Sequence, residues 1–546
     1  MGRTDGAFAA GPLYAQHTSV TGMSGPCLGG SIPRQEEQGV SHMPDRDFVK
    51  TGVRGLDAIL GGGIPRRNIV LVEGAIGSGK TTLGVEFVYR GASEFGEPGI
   101  IVLFETSPEK LIRDAAGFGC DLPSLERSGR VRVIFTTRAV FRQELQQPDS
   151  LLLEQAAKMG ARRIFVDGVA GLGTGAPEPR EAFHVLIEGL QRQDLTTMLA
   201  LEASEIQPRA ASTPEESVAD TVIRLRIEEV GRSSVRSLEI VKSRGHDYQM
   251  GRHSFRIVDG KGIEVYRRVQ APRARSRDRA AAYDTTTRVT TGVPGLDDIV
   301  NGGYFPGSTT VVAGVSGVGK SVMGLHFIAE GARRGERSLM LTLDEQVPQV
   351  LRNASVVGLD LEPAIERGLV RLVYDPPQEI EVDHHFYTIE EIIEEFKPVR
   401  VVIDSLSTYG SALGTSGRLF RDFFHALIAL MKEHQIAAVY NHENPEMFGM
   451  SSMMGDFAMS SLVDNIVLLN WVELGDEFRL GLTVAKMRAN PCDHVTYECE
   501  VRDGHGMRVL PRPLKVPAAQ SFAAYRGLVS RGPTRQAREV ASGGDE

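Results

Sequence analysis

Asn68-Ile-Val-Leu-Val-Glu73 runs without a break into Gly74-Ala-Ile-Gly-Ser-Gly-Lys-Thr81. The first run is apolar and β-branched, the pattern of a strand buried on both faces. The second fits G-x-x-x-x-G-K-[ST], the phosphate-binding loop of nucleoside triphosphatases. Its glycines let backbone N–H groups turn inward and cradle phosphate oxygens. The positive end of the helix read over Thr82–Tyr89 adds to that field. The motif assigns ATP binding to Gly74, Gly77, Ser78, Gly79, Lys80, Thr81 and Thr82. Lys80 is suited to the terminal phosphates and the Thr81 hydroxyl to Mg²⁺.

A second carboxylate requirement follows from the metal. Arg163-Ile-Phe-Val-Asp167 ends an apolar strand on Asp167, 87 residues after Lys80. Asp167 is therefore the Mg²⁺ candidate, acting through the metal's water shell. The strand Gly99–Leu103, with Phe104 after it, leads to Glu105-Thr106. In a parallel sheet it ends beside the γ-phosphate, which makes Glu105 a candidate general base for water. The alternative for Glu105 is an N-cap of the helix that begins near Pro108.

The same parts recur downstream. Thr51-Gly-Val-Arg-Gly-Leu-Asp-Ala-Ile-Leu-Gly-Gly-Gly63 matches Thr291-Gly-Val-Pro-Gly-Leu-Asp-Asp-Ile-Val-Asn-Gly-Gly303. The second loop is Gly314-Val-Ser-Gly-Val-Gly-Lys-Ser321, and Lys80 and Lys320 stand 240 residues apart. ATP-binding candidates there are Gly314, Gly317, Val318, Gly319, Lys320, Ser321 and Val322, with Ser321 and Asp404 for Mg²⁺. Asp344 and Glu345 are the carboxylates at the strand end that can activate water or a hydroxyl. The chain is thus a tandem duplication of an α/β domain, each copy a mostly parallel sheet flanked by helices.

The remaining segments frame the copies. Residues 1–47 are rich in Gly, Pro, Ser and Gln and read as a disordered lead-in. The first domain covers 48–268, an arginine-bearing linker 269–285, the second domain 286–513, and a flexible tail 514–546. Of 546 residues, 41% are hydrophobic and 24% charged, which excludes a mostly disordered protein. Lys plus Arg total 61 against 70 Asp plus Glu, a net charge of −9 that gives no overall field for nucleic acid. Cys27, Cys120, Cys492 and Cys499 form no C-x-x-C pair and read as ordinary thiols. The longest apolar run, around Phe423–Met431, falls far short of the ~20 residues that span a bilayer. No basic flank precedes a long apolar run near the N-terminus, and a reducing, cytoplasmic setting is expected.

In these residues the chain resembles the KaiC family of circadian clock ATPases, two-domain members of the RecA-like P-loop superfamily. The resemblance covers about residues 48–513. It rests on the repeated Thr-Gly-Val-x-Gly-Leu-Asp lead-in, on Val401-Val-Ile-Asp-Ser-Leu-Ser407, and on Asp464-Asn-Ile-Val-Leu-Leu469 with Val472-Glu473. It rests above all on the Lys-x-Arg strands, Val241-Lys-Ser-Arg-Gly-His246 and Ala485-Lys-Met-Arg488. It implies two tandem RecA-like P-loop domains, a homo-hexameric double ring and ATP at subunit interfaces. It further implies that Lys242, Arg244, Lys486 and Arg488 reach a neighbour's nucleotide; without it they read as surface cations on a strand. It implies autophosphorylation on Ser460 or Ser461, whose plain reading is two small polar residues opening a strand. Two departures stand out: the family's paired carboxylates become Glu105-Thr106 in the first copy, and a further family threonine falls on Gly455.

The expected function is ATP hydrolysis with serine autophosphorylation in the second domain, serving signalling or timing through protein partners, with no membrane. The rivals are a DNA-dependent motor or recombinase on the same fold, and a nucleotide-gated hexameric scaffold. The acidic balance and the lack of basic, aromatic-interleaved loops disfavour DNA. Asn441, at the end of the strand Ile436–Tyr440, is a γ-phosphate sensor or a turn former. His384 and His385, in an acidic stretch, read as part of a solvated loop, with a metal pair as the alternative, and Trp471 as packing.

Overall fold

The computed structural model describes residues 47–147, 150–170, 179–191, 194–202, 213–230, 233–270, 286–377, 380–412, 417–443, 461–492 and 494–515. The first copy opens on a two-stranded ribbon, β1 (Phe48–Val49) with β2 (Ile64–Pro65). Its main strands are β3 (Ile69–Gly74), β4 (Gly99–Leu103), β5 (Val131–Phe135), β6 (Arg163–Asp167), β7 (Thr196–Glu202), β8 (Thr221–Val230), β9 (Ser233–Ser243), β10 (Arg252–Val258) and β11 (Gly262–Tyr266). The second copy supplies β12 (Thr309–Gly314), β13 (Ser338–Thr342), β14 (Val370–Tyr374), β15 (Arg400–Asp404), β16 (Ala437–Glu443), β17 (Asn465–Leu474), β18 (Glu477–Met487), β19 (Thr496–Arg502) and β20 (Gly506–Pro513).

Each set forms one nine-stranded sheet. The order is β11-β10-β9-β8-β3-β7-β6-β4-β5 in the first copy and β20-β19-β18-β17-β12-β16-β15-β13-β14 in the second, strand for strand the same path. From β8 to β5 the neighbours pair parallel, while β8, β9, β10 and β11 form an antiparallel extension. The phosphate-loop strand is central and fully buried in both copies, as an unbroken apolar run requires. Apolar clusters cover both faces of each sheet. The expected α/β duplication holds.

Two local devices fix the loop against the sheet. In the lead-in, Thr51 N–H donates to Asp57 Oδ1 at 2.8 Å and Thr291 N–H to Asp297 Oδ1 at 2.7 Å. That bond explains why Thr and Asp stand at this spacing twice. The loop helices, Lys80–Glu94 and Lys320–Arg333, lie tightly on β6 and β15. A Cβ on Gly84 would sit 2.1 Å from Phe165, so only glycine permits that approach. At the foot of the same strands, Arg163 and Arg400 are fully buried. Each guanidinium lies 4.7 Å from a loop-helix phenylalanine, Phe87 or Phe327, and each Nε donates to a glutamate, Glu97 or Glu336, at 2.7 Å.

The structure corrects three local readings. His384 and His385 lie in the helix Val382–Phe396, not in a loop. His385 is buried between Asp375 (2.6 Å) and the Tyr409 hydroxyl (2.5 Å), and the apolar period of Ile389, Ile392 and Ile393 carries the helix through the polar residues. Asn441 is not in a turn but inside β16 and fully buried. The helix Pro108–Gly117 is capped by Ser107, whose Oγ accepts from Lys110 N, so Glu105 is not its N-cap. Trp471 lies on β17 and packs against the core.

Candidate nucleotide sites

In the first copy, Gly77 and Gly79 take φ of 79° and 103°, the left-handed region that glycine adopts at little cost. A Cβ on Gly77 would meet nothing within 4 Å, so it is the positive φ and not crowding that calls for glycine there. The Ser78 hydroxyl is buried with no hydrogen-bond partner among the described residues. Lys80 Nζ donates to the carbonyls of Gly74 and Ala75, both at 2.8 Å, which pins the ammonium at the loop. Thr81 Oγ1, on the first turn of the helix, donates to Asp167 at the end of β6 at 3.0 Å; Thr82 follows it. Burial pushes the Asp167 carboxyl up and the Lys80 ammonium down from their ordinary values. Lys80, at the start of the loop helix, and Asp167, at the end of β6, are thus charges held partly out of water. A hydroxyl and a carboxylate in contact are the hard oxygen donors that Mg²⁺ takes, so these residues fit that ion.

The second copy repeats the arrangement. Gly317 and Gly319 have φ of 80° and 92°, and Val318 is buried where Ser78 stands in the first copy. Lys320 Nζ donates to Gly314 O at 2.9 Å and to Val315 O at 2.8 Å. Ser321 Oγ donates to Asp404 at 2.6 Å, and Val322 packs on the adjoining core. Burial raises the Asp404 carboxyl and lowers Lys320.

The candidate bases differ between copies. Leu103 pairs with Asp167 and Thr342 with Asp404, so Glu105 and Asp344 each follow two residues beyond the level of their metal candidate on the neighbouring strand. Glu105 accepts from Arg138 at 2.6 Å. Asp344 accepts from two hydroxyls, Thr408 Oγ1 at 2.8 Å and Ser405 Oγ at 3.1 Å. Glu345 turns the other way, to Asn353 Nδ2 at 3.1 Å.

Lys242, Arg244, Lys486 and Arg488 lie elsewhere. Val222 pairs with Lys242, and Val70 with Thr221, at the end of the sheet where β3 begins; the loop leaves β3 at Gly74. Four residues of strand, about 13 Å, separate those levels. Lys242 Nζ donates to Ala219 O at 2.5 Å, and Arg244 faces Asp220 at 3.5 Å. In the second copy Lys486 Nζ donates to Val463 O at 2.6 Å and Arg488 faces Asp464 at 3.2 Å. Arg488 also donates to Ser461 O at 2.7 Å, so Ser461, which is exposed, shares that end; Ser460 lies outside the described residues. All five stand at the end of the sheet remote from their own copy's loop.

Sequence reasoning missed Glu202 and Glu443. They end β7 and β16, pair with Gly74 and Gly314, and act electrostatically on Lys80 and Lys320. Their matching places in the two copies were the available signal. It also missed Arg138, Ser405 and Thr408, whose roles arise only from neighbouring strand ends.

Fold and sites together define two RecA-like P-loop nucleoside triphosphatase domains in tandem. A family profile described as "ATPase: KaiC" matches twice, over residues 49–270 and 289–513. The chain belongs to the KaiC ATPase family. It is 32% identical over 497 residues to the circadian clock oscillator protein KaiC of Picosynechococcus sp., covering 89% of this chain and 92% of that protein. The KaiC of Thermostichus vulcanus is 32% identical over 499 residues and that of Synechococcus elongatus 31% over 499, each with coverage of 89% and 92%. Among the described residues no helix is long and apolar enough to cross a membrane.

Proposed function

We propose that the chain binds Mg-ATP at both loops, hydrolyses it in the first domain and phosphorylates its own serine in the second. The working form is a homo-hexameric ring, and the phosphorylated state signals to protein partners, in keeping with relatives named as circadian clock oscillator proteins. One observation carries the reading. The cations of each Lys-x-Arg strand, and Ser461, stand at the opposite end of the sheet from their own phosphate loop. Head-to-tail packing of identical subunits brings such an end to the next subunit's loop, and a repeated head-to-tail contact closes into a ring.

The chemistry divides among the residues as follows. Lys80 and Lys320 bind the terminal phosphates. Thr81 with Asp167, and Ser321 with Asp404, would hold Mg²⁺, which would supply charge to neutralise the phosphates. Glu105 takes the proton of the attacking water. In the second site Asp344, with Glu345 beside it, takes the proton of Ser460 or Ser461 from an adjacent subunit. There the Oγ–P bond forms as the bond from the γ-phosphorus to the ADP oxygen breaks. Lys242 and Arg244, or Lys486 and Arg488, meet the negative charge of the transferring group in trans.

Phosphopeptide mapping after incubation with Mg-ATP tests this. Label is expected on Ser460 or Ser461, lost in Ser460→Ala/Ser461→Ala with ATP hydrolysis retained. Label elsewhere, or none, rejects the kinase reading. Turnover stimulated by single-stranded DNA would favour a nucleic-acid motor instead.

A further inference from the structure

Leu406 and Tyr409 share one face of the helix Leu406–Ala412, and both are buried. Ser405, just before the helix, and Thr408 bear the two hydroxyls that donate to Asp344. Thr408 and Tyr409 are adjacent, so whatever seats Tyr409 also sets where the Thr408 hydroxyl stands.

The Tyr409 hydroxyl is itself held. It bonds His385 Nε2 at 2.5 Å, and His385 Nδ1 bonds Asp375 Oδ2 at 2.6 Å. A carboxylate only accepts, so Nδ1 carries a proton and donates to Asp375. That bond holds the Asp375 carboxyl below its ordinary value and keeps it an acceptor. Burial pushes the Tyr409 hydroxyl up, so it stays protonated and can donate to Nε2. Asp375 directly follows β14, and its N–H donates to Thr342 O at 3.1 Å. Thr342 ends β13, two residues before Asp344. Asp344, Thr408, Tyr409, His385, Asp375 and Thr342 thus form a circuit that begins and ends at the same strand end. Among the described residues of the first copy the circuit lacks its parts. Thr136 N–H donates to Leu103 O at 3.1 Å and so stands where Asp375 does, and Gly168 follows Asp167 where Ser405 follows Asp404.

We infer that Tyr409 and His385 are positioning residues of the second site: through the first turn of the helix Leu406–Ala412 they hold the Thr408 hydroxyl on Asp344 and so aim that carboxylate. The inference rests on Asp344 acting as the base for phosphate transfer.

Single-turnover phosphate transfer by the full chain tests it. Tyr409→Phe keeps the ring, which packs on Phe423 at 5.0 Å between centroids, and removes only the hydroxyl. It is expected to slow transfer about two- to fourfold at saturating Mg-ATP, with KM for Mg-ATP and first-domain turnover unchanged. His385→Leu is expected to match that loss. His385→Gln, which keeps a donor and an acceptor, should lose less. In the Thr408→Val background Tyr409→Phe should add no further loss, whereas a merely structural role predicts the same loss in both backgrounds. If Tyr409→Phe leaves the rate unchanged, or costs as much in the Thr408→Val background as alone, the inference is overturned. If Asp344→Asn transfers phosphate at the unaltered rate, the reading of Asp344 fails and this inference falls with it, a distinct result.

Discussion

The two copies share one sheet path, one loop geometry and one hydroxyl–carboxylate contact, yet they surround their candidate bases differently. The first copy pairs Glu105 with an arginine, follows Asp167 at the end of β6 with Gly168, and carries the apolar Ala200-Leu201 before the last residue of β7. The second holds Asp344 between hydroxyls, follows Asp404 with Ser405, and places Asn441-His442 at the matching points of β16. The lesson is that duplication preserved what the backbone imposes. The loop, the helix start and the strand carrying the metal carboxylate are tied together by packing, so they change together or not at all. Side chains at free strand ends answer to no such constraint and diverged.

The largest test of that contrast lies in the loops. Lys320→Ala is expected to cut phosphorylation about 10²–10³-fold while first-domain turnover persists. Lys80→Ala is expected to cut first-domain turnover similarly and to weaken assembly, since ligand bound at an interface stabilises the interface. Phosphate transfer, ATP turnover and sedimentation with saturating Mg-ATP measure the three effects. Equal loss of both activities in both variants would erase the proposed division of labour, and a monomer at micromolar protein would sink the ring.

The base comes next. Asp344→Asn should slow phosphoryl transfer about 10²-fold. Glu345→Gln, which faces Asn353 and not the metal candidate, should cost only a few-fold. Single-turnover assays decide, and a reversal of that order would assign the base to Glu345. Smaller still is the support of Asp344. Ser405→Ala with Thr408→Val should lower the same rate about fivefold, since hydrogen bonds to a charged group each matter modestly. No change would mean that Asp344 needs no orienting.

The smallest effect separates His442 from its first-copy counterpart Leu201. Burial, aided by Lys320, pushes the His442 imidazole down to about 4. The unfolded chain titrates near ~6.5, so below that pH it binds more protons than the folded state. Stability is therefore full above pH ~6.5 and declines as pH falls toward 4. His442 keeps some contact with solvent, and its share is on the order of 1–2 kcal/mol between pH 7 and 5. His442→Leu should flatten the fall in Tm over that range, and an unchanged profile would show that other groups govern it.

Much of this was legible in the residue order. The repeated lead-in, the two loops and the strands ending on Asp167 and Asp404 were readable because each is local: a run of adjacent residues whose spacing the chemistry dictates. The helix through His384 and His385 was misread because a local polar pair outweighed the apolar period that packing follows. Glu202 and Glu443 escaped notice because a single glutamate at a strand end carries no pattern.

The sequence by itself determined the duplication, the α/β class, the nucleotide loops and the family. It could do so because glycines with positive φ, a lysine and a hydroxyl at set intervals admit few other uses. Only the tertiary structure decided which carboxylate faces which partner. It alone turned Asp344 toward Ser405 and Glu345 toward Asn353, set Arg138 beside Glu105, and put Lys242, Arg244, Lys486 and Arg488 at the end of the sheet remote from their own loops. Those relations join residues tens of positions apart. Strand order and register create them, and neither is written in any one stretch of the chain.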